Sequence, residues 1–205
     1  MSTTEKETLS EDEREALTAD PERQDEAHTS GAYGYLSDAT LATRYSVISG
    51  LVEQYDCAGV LDIGCYVGGL RGAINRNRSY HGIDISENAI KDAIAHYGDY
   101  ERTTFSVGDI RSESAKLPQY PCVVWAGIGF GYSDKDNRSF ADLFKKAWDL
   151  CSDNGVLIFE CIEDYAWVQS HIEATSKLLT TFHVTYSLAS VHNRRAVFVA
   201  RKVLK

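Results

Sequence analysis

Three aspartates stand at or beside the ends of short apolar stretches: Asp62 in Val60-Leu-Asp-Ile-Gly-Cys65, Asp84 in Tyr80-His-Gly-Ile-Asp-Ile85 and Asp109 in Val107-Gly-Asp-Ile110. A carboxylate held at the end of a strand offers fixed acceptor oxygens to a hydroxyl or amine hydrogen. After the first stretch, Gly64, Gly68 and Gly69 permit a tight turn and close approach of a ligand to the backbone, although packing turns use glycine in the same way. Asp84 follows Gly64 by 20 residues, the spacing at which an acid in a dinucleotide fold accepts hydrogen bonds from both hydroxyls of a ribose. Asp84 and Ser86 equally suit the start of a helix. Asp109 is placed to take an amine hydrogen while Ile110 covers a ring face, and the same residues also make an ordinary turn.

Elements that position these residues follow from periodicity. Ser37-Asp38 caps a helix that runs to about Tyr55, with Leu41, Tyr45, Ile48, Leu51, Val52 and Tyr55 at helical spacing. Strands are expected at Val60–Cys65, Tyr80–Ile85, Thr103–Val107, Cys122–Ala126 and Gly155–Cys161. Helices are expected at Val67–Arg76, Glu87–Tyr97 (capped by Ser86), Arg138–Cys151 and Tyr165–Leu179. Phe182–Leu188 and Ala196–Val203 close the chain as a β-hairpin. Alternating strand and helix predicts an α/β fold, a seven-stranded mostly parallel sheet with helices on both faces, the final hairpin giving one antiparallel strand.

An acid ending each of three successive strands, with the glycine loop between them, outlines an adenosine. In these residues the chain resembles the class I S-adenosylmethionine-dependent methyltransferases, over roughly Ser37 to Lys205. The resemblance implies S-adenosylmethionine as cofactor and S-adenosylhomocysteine as product. It implies that Asp62-Ile-Gly-Cys-Tyr-Val-Gly68, with Gly64, Cys65, Tyr66 and Gly68, is the loop under the methionine portion. Asp84 becomes the ribose acid, Ile85 the apolar residue against adenine, Asp109 the adenine amine acceptor with Ile110 beside it, and Trp125 to Gly129, including Gly127, the segment passing the methyl group. Tyr66 departs from the family's G-x-G-x-G pattern by replacing its middle glycine, so its side chain must point away from the cofactor or cover it. The same departure counts against a nicotinamide dehydrogenase.

Methyl transfer is an in-line displacement for which orientation and a desolvated pocket suffice, with a base only when a proton must leave. Asp134, after the fourth strand, and Glu160, with Glu163 and Asp164 after the fifth, are candidates for that base, each also readable as a solvated surface carboxylate. Tyr33 and Tyr35 precede the first strand, where the resemblance implies a lid over the cofactor, and Phe130 and Tyr132 suit the walls of an acceptor pocket or a closure of the core over the sheet edge. Arg44 pairs with the methionine carboxylate or an acidic acceptor, or makes a surface ion pair with Asp38 or Glu53. His171, His183 and His192 are scattered, and no set of metal ligands is evident. Nothing here matches the Asn/Asp-Pro-Pro-aromatic motif of base-amine methyltransferases, and few insertions leave little room for a recognition domain. A small-molecule acceptor is therefore expected. A non-catalytic methyltransferase-like binding protein, and an RNA or protein methyltransferase using Arg71, Arg76 and Arg78, are the alternatives.

Positions 1–30 carry ten acidic and three basic residues, against 20 and 18 in the rest of the chain. The first 30 residues therefore read as an acidic, disordered tail and positions 31–205 as one domain, with a lid and helix over 31–56 and the sheet core over 57–205. The near-neutral body gives no electrostatic footprint for nucleic acid. No basic start with an apolar run resembles a signal peptide, no stretch is long and apolar enough to span a membrane, and five cysteines show no C-x-x-C spacing. Reduced thiols in the cytoplasm are the expectation.

Overall fold

The computed structural model describes residues 20–32, 39–113, 116–127, 138–162, 180–187 and 194–202. In chain order the elements are α1 (Pro21–Thr29), α2 (Ala39–Gln54), β1 (Gly59–Ile63), α3 (Gly69–Ala73), β2 (Ser79–Asp84), α4 (Glu87–Tyr97), β3 (Thr103–Val107), α5 (Ile110–Glu113), β4 (Tyr120–Ala126), α6 (Arg138–Asp149), β5 (Cys151–Ile162), β6 (Thr180–Ser187) and β7 (Arg194–Arg201). The sheet order is β3-β2-β1-β4-β5-β7-β6. Strands β1 to β5 pair in parallel, and β7 is antiparallel to both β5 and β6. The α/β fold with a mostly parallel sheet agrees with the periodicity.

Successive strand residues point to opposite faces, and both faces are buried. Leu61, Ile63, Val123, Trp125, Leu157 and Phe159 meet Leu143, Phe144, Ala147 and Leu150 of α6 and the turn after it. On the other face Val60, Tyr80, Val124, Ala126 and Ile158 meet Ile48, Leu51 and Val52 of α2 and Leu70 of α3. Asp62 lies between Leu61 and Ile63 in β1, so its side chain shares the α2 face with Val60.

Local chemistry explains where the helices begin. Ser86 caps α4, its hydroxyl accepting from the Ala89 N–H at 3.1 Å, and Glu87 sits in the favourable first turn. The helix after β1 is shorter than the expected Val67–Arg76, because the chain first turns through Gly64 to Gly68 and leaves the helix at Ile74, which is extended. The start of α1 carries an Asp20 cap bonded to the Glu22 N–H at 3.0 Å and Pro21 in its first turn. That helix corrects the expected tail: positions 21–29 are helical and pack on α4. The expected helix over Tyr165–Leu179 lies outside the described residues.

Candidate functional site

The order of strands reverses between β1 and β4, and a parallel sheet admits ligands in the crevice outside the carboxyl ends of such a pair. Gly64 follows β1 and Gly127 follows β4, with φ of 70° and 68°. Above this point α2 carries Arg44, which is buried. A side chain on Gly127 would place its Cβ 2.8 Å from one terminal guanidinium nitrogen of Arg44 and 2.9 Å from the other. The backbone angle favours glycine, and any Cβ there would have to displace the end of the Arg44 side chain. Arg44 lies over the Tyr45 ring, 4.8 Å from its centroid, and its Nε has no hydrogen-bond partner among the described residues. A buried, unanswered N–H costs about 1–3 kcal/mol, which a carboxylate placed against it would recover.

Asp62 is buried beneath the same helix, and the Tyr80 hydroxyl donates to its Oδ2. Burial pushes the Asp62 carboxyl up to about 7, against the opposing pull of Tyr80 and of the Arg44 charge, while Asp84 adds to the rise. At the end of β2, Asp84 accepts the Tyr66 N–H on Oδ2 and the Ser86 N–H on Oδ1, both at 2.9 Å. Burial raises the Asp84 carboxyl above the ordinary range while these backbone amides work to lower it. The amides hold the carboxylate at one orientation, and each oxygen has a second lone pair for a ligand hydroxyl.

Tyr66 takes φ of 50°, a left-handed conformation that costs a residue with a Cβ roughly 1–2 kcal/mol. Its N–H is held by Asp84, and its hydroxyl meets Nδ1 of His28 at 2.8 Å. The tyrosine ring thus leaves the loop toward α1.

Comparison with known proteins places this arrangement. No protein-family model and no curated protein matches the chain. Among solved structures, magnesium protoporphyrin IX methyltransferase (ChlM) from Synechocystis PCC 6803, with bound S-adenosylmethionine, superposes with a TM-score of 0.72 at 13% identity, covering 96% of this chain and 100% of that one. N-methyltransferase NodS from Bradyrhizobium japonicum WM9 gives 0.68 at 16% identity over 82% of this chain and 99% of its own. The plantazolicin methyltransferase BpumL, in complex with S-adenosylhomocysteine, gives 0.65 at 16% identity over 94% and 97%. The fold is that of the class I S-adenosylmethionine-dependent methyltransferases.

Within this methyltransferase fold several expected roles are redistributed. The Cys65 side chain is buried, and a Cβ on Gly82 would come within 2.7 Å of its Sγ, so only the Cys65 backbone can line the loop. Burial pushes its thiol well up. Gly68 caps α3 in a left-handed conformation and lies close under Phe105 and Tyr97, where a Cβ would meet either ring at 3.1 Å. Its glycine serves the packing of α3. Ile110 is drawn into the core with Ile83 and Leu143 because it begins α5, so its side chain does not cover a ring. The exposed apolar residue at this end of β3 is Val107, at 51%. Ile85 is half-buried.

Asp109 is already engaged. Arg111 donates from its backbone N–H at 2.8 Å and from Nε at 2.7 and 2.9 Å, and its Nη2 lies 2.6 Å from Oδ2. Burial raises the Asp109 carboxyl, but Arg111 outweighs it and holds the group below the ordinary range. A ligand amine would share this carboxylate with the guanidinium.

Each arginine of the expected basic cluster has partners within the chain. Arg71 is fully buried, donating to the Thr103 hydroxyl at 2.7 Å and to the carbonyls of Ile74, Asn75 and Arg76. Arg78 is paired with Glu53 and Asp56, and Arg76 lies over the Tyr100 ring. The Arg78 pair also removes Glu53 as a partner for Arg44. Glu160 corrects its surface reading: it is fully buried in β5 opposite Ala126, and its carbonyl accepts the Gly127 N–H at 3.0 Å. Tyr33, Tyr35, Phe130, Tyr132, Asp134, Glu163, Asp164, His171 and His192 lie outside the described residues, as does the segment after Gly127. His183 falls in β6.

Sequence reasoning missed Tyr80, Arg111 and the pair Asp25 and His28 of α1. No local pattern marks Tyr80 as the donor to Asp62, whereas Asp20-Pro21 is a helix-start signal inside the presumed tail. Among the described residues no group of three or more His, Cys, Asp or Glu is placed to hold a metal ion, and no helix is long and apolar enough to cross a membrane.

Proposed function

We propose that this chain is an S-adenosylmethionine-dependent methyltransferase acting on an oxygen or nitrogen of a small molecule. The buried Arg44 guanidinium carries the reading: its Nε has no partner among the described residues, and it lies against Gly127 at the switch point of a methyltransferase fold. Those residues fit the cofactor, which when bound supplies an electrophilic methyl group on a sulfonium. Arg44 would hold the methionine carboxylate, with the backbone of Gly64 to Tyr66 beneath it. Asp84 would accept from the ribose hydroxyls, Ile85 and Val107 would flank the adenine, and Asp109, kept ionised by Arg111, would accept from its amine.

The remaining assignments extend this reading across the seven-stranded sheet. The segment from Gly127 through Phe130 and Tyr132 borders the acceptor, Tyr33 and Tyr35 close over it, and Asp134 or Glu160 takes a proton if the acceptor must lose one. Similar folds named for magnesium protoporphyrin IX and plantazolicin support an acceptor of small-molecule size. The buried pairing of Arg71 and the ion pairs of Arg78 weigh against RNA. Free buried thiols at Cys57, Cys65, Cys122 and Cys151 suit a reducing compartment, and we place the protein in the cytoplasm.

Calorimetric titration with S-adenosylhomocysteine, beside NADH and an Asp84→Ala variant, tests the reading. Micromolar binding that is lost in the variant and absent with NADH supports it, and transfer of a labelled methyl group to members of a metabolite panel then identifies the acceptor class. Failure of the folded protein to bind overturns it. Binding with no transfer to any acceptor favours a non-catalytic role.

A further inference from the structure

Helix α1 has no buried residue and no apolar face, yet it is docked on the two turns that flank Asp84. On one side His28 meets the Tyr66 hydroxyl at 2.8 Å through Nδ1 and Asp92 of α4 at 2.9 Å through Nε2. With a carboxylate on Nε2, that nitrogen carries the proton, and Nδ1 accepts from the tyrosine. On the other side the Asp25 carboxylate accepts from the Ser86 hydroxyl and, at 3.1 Å, from the Asn88 N–H in the first turn of α4. Tyr66 and Ser86 are also the residues whose N–H groups hold Asp84. His28, near the C-terminal end of α1, and Asp25, at its middle, therefore each grip one of the turns that orient the carboxylate.

We propose that α1 is a built part of the cofactor site: His28 and Asp25 latch it over Tyr66 and Ser86, so that docking of this helix and binding of the adenosyl moiety are coupled. The inference rests on the methyltransferase reading above and explains its one departure from the family pattern. A tyrosine at the place of a glycine is costly in the left-handed region, and here its hydroxyl anchors a helix that glycine could not hold. Because the docking is polar and leaves no residue of α1 fully buried, it lies at the low-stability end of the fold, where a ligand shifts populations most readily. Residues 30–38 join α1 to α2, so the stretch that latches onto Tyr66 also leads to Arg44. His28 and Tyr66 act as positioning residues for Asp84.

The test combines hydrogen exchange with calorimetry on the full chain. S-adenosylhomocysteine should slow amide exchange across residues 21–29. Tyr66→Phe, which removes one oxygen, should raise Kd about fivefold, the value of one net hydrogen bond, and abolish that ligand-dependent protection. His28→Ala, which loses two bonds, should raise Kd about tenfold or more, within the usual range of coupling between linked sites. His28→Gln, which keeps one donor and one acceptor, should restore binding to within about threefold. If His28→Ala fails to fold, Tyr66→Phe decides alone. Wild-type binding with no change in α1 exchange, or with undiminished affinity in Tyr66→Phe, overturns the coupling and leaves the methyltransferase reading intact. No binding by the wild type overturns both.

Discussion

Replacing Asp62 by asparagine should remove a definite part of the pH dependence of folding. Burial pushes this carboxyl from 3.8 to about 7 in the folded chain. Between those values the folded state keeps a proton that the unfolded state has released, so stability falls as pH rises toward 7 and levels off beyond it. Each pH unit in that window is worth about 1.4 kcal/mol, giving up to about 4 kcal/mol between pH 4 and pH 8. Asparagine has no proton to exchange and can still accept from the Tyr80 hydroxyl. Asp84 is raised as well, but it is present in both proteins and its contribution cancels in the comparison. Urea unfolding of the ligand-free wild type and Asp62→Asn at pH 5 and pH 8 measures the effect. The wild type should lose about 2–3 kcal/mol more than the variant over that interval. Parallel pH profiles, agreeing within about 0.5 kcal/mol, would refute a buried carboxylic acid at Asp62.

Three further outcomes follow from the geometry. Arg44→Met should weaken S-adenosylhomocysteine binding about tenfold to a hundredfold while leaving Tm unchanged or raised, because it deletes a buried charge whose Nε is unanswered; unchanged affinity would remove Arg44 from the site. Gly127→Ala combines a strained φ with a Cβ 2.8 Å from Arg44, and should lower thermal stability by about 1–3 kcal/mol and displace the guanidinium. Titration of that variant at wild-type affinity contradicts the close contact. Arg71→Met leaves three carbonyls and the Thr103 hydroxyl without their donor and should cost about 2–4 kcal/mol by chemical unfolding, with no salt-dependent change in ligand affinity. Little loss of stability would mean that the carbonyls find other donors.

How far the fold could be read from the chain is clearest at α4. Its limits, Glu87 and Tyr97, follow from the Ser86 cap, the acidic first turn and Gly98, all of which act within a few residues of the backbone they stop. The limits of β3 were legible for the same reason. Helix α1 was not, because amphipathic periodicity is the usual mark of a helix and this one has no buried face. Its order comes from Asp25 and His28 reaching residues more than 35 positions away. The acids Asp62, Asp84 and Asp109 were visible as strand-end carboxylates, yet what each one does depends on Tyr80, Tyr66 and Arg111.

By itself, then, the sequence determined the alternation of strands and helices, the glycine turn after β1, and the presence of an acid at or beside the end of each of the first three strands. These are short-range properties, decided by side-chain period, capping groups and backbone freedom. Only the tertiary structure decided that Ile110 and Cys65 turn inward while Val107 remains exposed, that Arg71 is enclosed by carbonyls while Arg44 keeps a bare Nε beside Gly127, and that Tyr66 faces His28. Burial and charge pairing depend on which distant segments meet at the sheet, and that meeting is set by strand order, which residue spacing does not encode.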